Sequence, residues 1–204
     1  FASSFAAYPS SANFAESRLY VEYQEDVFVG YRYFETIPGA AASVCYPFGY
    51  GLSYTTFALS DVRGGMNGAG EIALSATVTN TGLCAGKYVL QAYVNPPKGR
   101  IAKPAAALVG FAKTRLLEPN ESETLTVSFA PYAFATYDDE GAVRKSAYVL
   151  EKGAYGFRVG ENVRETVNVD YRYELDDDAI LEQLSPKCAP TLLHRRMLAD
   201  GSYR

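Results

Sequence analysis

The residues of this chain with chemistry to offer are its acids, one histidine, three cysteines and an aromatic cluster. Their spacing decides what each can do. Asp138 and Glu140 stand two apart; on one strand face their carboxyl groups would lie about 6.6 Å from each other at ~3.3 Å per residue, a separation that suits an acid and a base activating water between them. The run Asp138-Asp139-Glu140-Gly141 is, however, a turn composition, and a solvated hairpin turn is the better reading. Glu22, Glu25 and Asp26 cluster at the entry to an apolar segment. Solvation or pairing with Arg18 or Arg32 is their simplest role, worth about 0–1 kcal/mol if exposed. Asp176, Asp177 and Asp178 put negative charge where a helix start prefers it. No catalytic residue is assigned among these acids.

His194 is the only histidine, so a histidine-pair metal site is excluded, and its neighbours Arg195 and Arg196 suggest a solvated helix face. Cys45, Cys84 and Cys188 are scattered and form no C-x-x-C pair, which excludes a disulfide framework and leaves packing as small apolar side chains the expected role. Gly49-x-Gly51 leads into a strand-like run rather than a helix, so its glycines serve tight turning and not phosphate binding. No metal-ligating residue and no cofactor-binding residue is assigned. What carries functional colour is the aromatic group Tyr46, Phe48, Tyr50 and Tyr54, whose flat rings can stack on apolar faces of a sugar. Each ring can also bury about 150–250 Å², and packing at a junction between domains is the favoured reading.

The elements that would hold these residues divide the chain in three. Residues 1–54 begin as a small, polar loop. The β-branched and aromatic run Val27–Phe34 then predicts a strand apolar on both faces, followed by a Pro/Gly/Ala loop and a turn-rich stretch. Such a strand needs cover on two sides that its neighbours do not supply. From 55 to 173, alternating segments separated by turn signals predict an antiparallel sandwich. The expected strands are Thr56–Val62, Ile72–Thr79, Lys87–Asn95, Ala107–Leu116, Thr124–Phe129, Ala147–Leu150 and Tyr155–Gly160, with Glu165–Tyr171 as an additional edge. Residues 174–204 predict a tail with short helices, Ala179–Leu184 and roughly Leu192–Ala199, the second ending at Gly201. The fold class expected is mainly β: an immunoglobulin/fibronectin type III-like sandwich with an N-terminal fragment of an α/β domain and a short helical C-terminal tail.

Two stretches, YVEYQEDVFVGYRYFET and YPFGYGLSYTTF, resemble the end of the second, α/β sandwich domain of glycoside hydrolase family 3. The sequence after them is similar to that family's fibronectin type III-like domain: Val78-Thr79-Asn80-Thr81-Gly82, Gln91-Ala92-Tyr93-Val94, Leu108-Val109-Gly110-Phe111, Leu117-Glu118-Pro119, Tyr137-Asp138 and Lys152-Gly153-Ala154-Tyr155 come in the family's order. The tail AILEQLSPKCAPTLLHRRMLADGSYR resembles the connector of rearranged members in which the catalytic barrel comes last. The resemblance implies a retaining β-glucosidase-like enzyme whose nucleophile lies on the barrel and whose proton donor lies elsewhere in the second domain. Neither motif is present here. This chain is therefore expected to be a non-catalytic structural part, inactive alone, that braces the catalytic domains. The expected partners are the remaining domains of the enzyme, with self-association through 1–54 as an additional contact; a β-glucoside would be substrate only for the whole enzyme. The alternative is an independent carbohydrate-binding or adhesion module. A free-standing hydrolase ranks last.

Composition agrees with a folded, β-rich chain. It has 204 residues, 48% hydrophobic and 14% aromatic, with seventeen Gly and ten Pro for turns. A net charge of −4 offers no basic field, so nucleic acid is not an expected partner. No apolar run reaches the ~20 residues that span a bilayer, and no membrane partner is expected. Unpaired cysteines and the lack of a visible signal peptide favour a cytoplasmic location, with the proviso that the chain begins at Phe1 and reads as a fragment.

Overall fold

The computed structural model describes residues 1–188 and 195–204. Its centre is a two-layer sandwich. Strands β1 (Phe57–Met66), β2 (Ile72–Asn80) and β5 (Ser122–Phe129) form one antiparallel sheet in the order β1-β2-β5. The facing sheet is β4-β3-β8-β9, from β3 (Val89–Asn95), β4 (Ala107–Lys113), β8 (Gly153–Gly160) and β9 (Thr166–Leu175). A small third sheet, β10-β7-β6, joins β6 (Thr136–Asp138), β7 (Ala147–Leu150) and β10 (Ala179–Gln183).

Alternation is what closes the two layers on each other. In β2 the side chains of Ile72, Leu74, Ala76 and Val78 point inward and are fully buried, while Ser75, Thr77 and Thr79 face out. They meet Leu125, Val127 and Phe129 of β5 and, across the core, Leu90, Ala92 and Val94 of β3 and Tyr155, Phe157 and Val159 of β8. Each large side chain so buried contributes about 1.5–3 kcal/mol. A one-residue slip of register would turn the whole stripe to water. At the open corner β1 runs close to β9, and a Cβ at Gly64 would meet the side chains of Val169 and Tyr171 at 2.6 and 2.9 Å, so only glycine lets the two edges approach.

Outside the sandwich three expectations are corrected. Val27–Phe34 is not a strand. Asp26 and Gly30 take left-handed backbone angles, φ 52° and 59°, which break an extended run, and the chain enters the short helix α1 (Tyr31–Thr36) with the Gly30 carbonyl accepting from the Tyr33 amide at 3.1 Å. Among the described residues no strand pairs with this segment, and its apolar side chains are covered on one side only: Phe28 and Phe34 are buried while Val29 is half-exposed. Ala179–Leu184 is not a helix either. The carboxylate of Asp178 accepts the Lys152 amide at 2.9 Å and pairs with Arg100, so it does not cap a helix. Residues from Ala179 onward add as β10 to the edge of β7, Ala179 opposite Leu150.

The third correction concerns the end of the chain. Part of the helix expected over Leu192–Ala199, with His194, lies outside the described residues. Residues 195–199 are not helical: Met197 bridges to Tyr203 and the Leu198 carbonyl accepts the Gly201 amide at 2.9 Å, a hairpin with Gly201 at φ 84°. Both cysteines with described side chains, Cys45 and Cys84, are exposed rather than packed, because each sits in a turn whose backbone is committed to hydrogen bonds.

Candidate functional site

The aromatic loop is fastened to the sandwich through its backbone rather than its rings. The Phe48 carbonyl accepts the Val163 amide at 3.0 Å, and the Gly49 carbonyl accepts the Gln91 side chain at 3.1 Å. Gln91, nearly buried on β3, also donates to the Glu161 carbonyl and accepts the Tyr93 hydroxyl at 2.6 Å. Gly49 is required twice over: its φ is 88°, and a Cβ there would collide with the Gln91 amide. Just after the loop, Thr55 donates to the fully buried Asn80 at 2.6 Å, and Asn80 in turn donates to the carbonyls of Cys84 and Leu117. The loop therefore has a fixed path across the sheet edge.

The structure brings three of the four rings into one neighbourhood and leaves the fourth apart. Tyr46 and Tyr50 tilt against each other at 5.1 Å, and Phe48 stacks on Tyr31 of α1 at 4.2 Å and 17°. Tyr46, Phe48 and Tyr50 are roughly half exposed, whereas Tyr54 is 100% exposed. Tyr46 and Phe48 line a cavity of about 110 Å³ shared with Phe1, Tyr8 and Phe34. That is well below the roughly 300–1,000 Å³ of a cleft that encloses a small-molecule ligand. The rings form an open, flat patch, suited to stacking or to burial under another surface.

The acidic residues are engaged in other tasks. Asp138 is buried, and its two carboxylate oxygens accept the amides of Gly141, Ala142, Val143 and Arg144 at 2.7–3.0 Å. Burial works against its charge, yet the four amides outweigh it and hold the carboxyl below the usual range. Asp138 thus organises the turn predicted there. Asp139 and Glu140, beside it, pair with Arg196, and Glu140 also with Arg204. Asp26 pairs with Arg196 at 3.5 Å, correcting the expected pairing with Arg18 or Arg32. Glu25 is buried, with Oε2 lacking a hydrogen-bond partner, as does Oδ1 of buried Asn13. Such orphaned acceptors are costly and mark surroundings short of a donor. Among the described residues no three His, Cys, Asp or Glu side chains converge as metal ligands.

Two arginines that sequence reasoning did not single out, Arg158 and Arg164, border an open groove beside α1. The alternation of Tyr155, Phe157 and Val159 was enough to point Arg158 outward; only the packing of α1 on the sheet makes a groove there.

A profile of the fibronectin type III-like domain matches residues 88–163. Beta-glucosidase A of Butyrivibrio fibrisolvens is 49% identical over 217 residues, covering 100% of this chain and 26% of that protein. Among solved structures, a beta-glucosidase from Paenibacillus barengoltzii is similar at a TM-score of 0.88 and 43% identity, over 97% of this chain and 22% of its own. The GH3 beta-glucosidase of Bifidobacterium adolescentis gives a TM-score of 0.70 at 36% identity, over 81% and 24%. The chain spans about a quarter of the length of these relatives.

Proposed function

We propose that this chain, which belongs to glycoside hydrolase family 3 and contains that family's fibronectin type III-like domain, is a non-catalytic brace for the catalytic domains of a β-glucosidase-like enzyme. The observation that carries this reading is where apolar surface is left uncovered. The sandwich has a filled core and scattered exposed residues such as Leu83 and Phe111. In residues 1–54, by contrast, Phe1, Phe5, Phe14, Leu19, Tyr20 and Tyr23 are each more than half exposed, as are Leu52 and Tyr54. Apolar exposure concentrated in one stretch of the chain is what a docking segment looks like before its partner is added. The orphaned acceptors of Glu25 and Asn13 support the same reading.

Exposure of Tyr46, Tyr50 and Tyr54 favours a second reading, in which their rings hold carbohydrate directly. One pair of measurements separates the two. Mixing the chain with the separately produced remainder of the polypeptide should raise hydrolysis of an aryl β-glucoside on the order of 100-fold over the remainder alone, the scale of loss when catalytic groups are misplaced by ~1 Å. No gain would refute bracing. Saturable binding of β-glucan by the isolated chain, abolished by Tyr50→Ala at unchanged melting temperature, would establish the second reading instead.

A further inference from the structure

The groove beside α1 has a volume of about 560 Å³ and is lined by Glu35 of α1, Asn95 of β3, Arg158 of β8, Asn168 of β9 and Arg164. Its two guanidinium groups are in different states. Arg164 is compensated: Nε donates to the Glu35 carboxylate at 2.9 Å and Nη2 to the Ala41 carbonyl at 3.2 Å. Arg158 is held by neutral acceptors alone, Nε on Asn95 Oδ1 at 2.8 Å and Nη1 on Thr166 Oγ1 at 3.3 Å. Among the described residues no carboxylate forms an ion pair with it, and its Nη2 donates to none of them. Burial pulls its pKa below that of a free arginine, with a smaller counter-pull from Glu35.

The fork is also fixed in place. Asn95 is itself anchored through Nδ2 to the Ala105 carbonyl at 2.6 Å, and Arg158 stands opposite Tyr93 on one side and Asn168 on the other in the ladder. Asn168 is exposed and brings an amide donor to the same groove. A half-buried, pre-oriented guanidinium with no carboxylate in direct contact is the geometry that recognises one.

We propose that this groove is the receptor for one carboxylate, an Asp or Glu side chain presented by the part of the enzyme's polypeptide that lies outside this chain. The proposal rests on the bracing role above. Two observations favour a protein carboxylate over a free one. The groove is open to solvent, whereas small ligands are held in sites that enclose most of their surface. Through Glu35 it also borders the cavity lined by Tyr31, Phe48 and the half-exposed Tyr46, and three-quarters of the length of the relatives is polypeptide that this chain does not contain.

The test is calorimetric binding of the chain to the separately produced remainder, for wild type, Arg158→Gln, Arg158→Lys and the distant control Arg115→Gln. Loss of one partner from a close charge pair predicts about 10- to 100-fold weaker binding for Arg158→Gln, an intermediate loss for Arg158→Lys and none for Arg115→Gln. The circular dichroism spectrum of each isolated variant reports its fold. As a measurement independent of any variant, the Nε–H resonance of Arg158 in the wild type should shift on adding the remainder. Equal affinity of wild type and a folded Arg158→Gln, or an unmoved resonance in the assembled pair, overturns the carboxylate receptor and leaves bracing intact. No association of the wild type at all overturns both. Acetate alone is the probe for a free ligand: a saturable shift of Arg158 in the isolated chain, with assembly indifferent to Arg158→Gln, overturns the polypeptide as occupant.

Discussion

Asp138 shows how one side chain replaces a stretch of regular structure. Four consecutive amides, from Gly141 to Arg144, would otherwise be left without partners in the hairpin between β6 and β7, and the two oxygens of one carboxylate take all of them. Because this holds the folded-state pKa below the unfolded value near 3.9, the contribution is complete above about pH 4 and is lost as the pH falls through the depressed value. Asp138→Asn keeps the shape but offers one acceptor oxygen and presents an NH₂ to donors. Urea denaturation at pH 7 should show a loss of about 3 kcal/mol, and the variant should lack that part of the wild-type fall in stability below pH 4. The turn composition of Asp138-Asp139-Glu140-Gly141 was readable in the sequence. Which of its three acids turns inward was not, since that depends on which oxygen faces the amides once β6 and β7 have paired.

Among the elements, the final hairpin does more than end the chain. Met197 is buried with Phe28 and Ile37, its amide donates to the Gln24 carbonyl at 2.8 Å, and Arg196 sits between Asp26 on the N-terminal segment and Asp139 and Glu140 on the β6–β7 turn. One short segment thus clasps residues 1–54 to the sandwich. A second fastening is the loop between β3 and β4, where the buried pair Lys103–Glu151 and the amides of Arg100 and Ile101 on the same carboxylate hold a loop whose Ala105 amide donates to Thr36 at 2.9 Å. Removing a largely buried guanidinium leaves Asp26 and Asp139 without their cation, and Glu140 with Arg204 alone. Arg196→Ala is expected to cost about 2 kcal/mol at pH 7, discounted for the partial exposure of the acids, and less in high salt. Limited proteolysis of this variant should cut first within residues 19–30 and 139–145 together; cleavage at only one of the two would break the idea of a single clasp.

At the scale of the whole molecule, the sandwich core is far larger than the N-terminal cluster and the small cluster of Tyr93, Ala106 and Val163 under α1. The sandwich core joins inward residues from both sheets, whereas the N-terminal cluster is Phe28, Ile37 and Met197 with a few half-buried neighbours. Stability distributed in this way gives sub-global opening. Amides of β2, β3, β5 and β8 should exchange with deuterium only by global unfolding. Those of α1 and of residues 19–30 should exchange far faster in the isolated chain and become protected when the remainder of the polypeptide is added. Uniform protection of both regions in the isolated chain would count against the bracing role.

The sandwich was legible from sequence because its signal is local: alternation over Ile72–Thr79 or Tyr155–Gly160 assigns each side chain a face whatever lies beyond, and turns such as Asn80-Thr81-Gly82 punctuate it. Only the tertiary structure decided the rest. Val27–Phe34 and Ala179–Leu184 are short runs of ambiguous period, and what separates helix from strand there is whether a free edge lies within reach: β7 offered one to Ala179, and among the described residues no strand pairs with Val27. The same holds for the groove at Arg158 and the clasp at Arg196. A charge has no direction in a sequence, and its partner, or the lack of one, is settled by segments brought together from far along the chain.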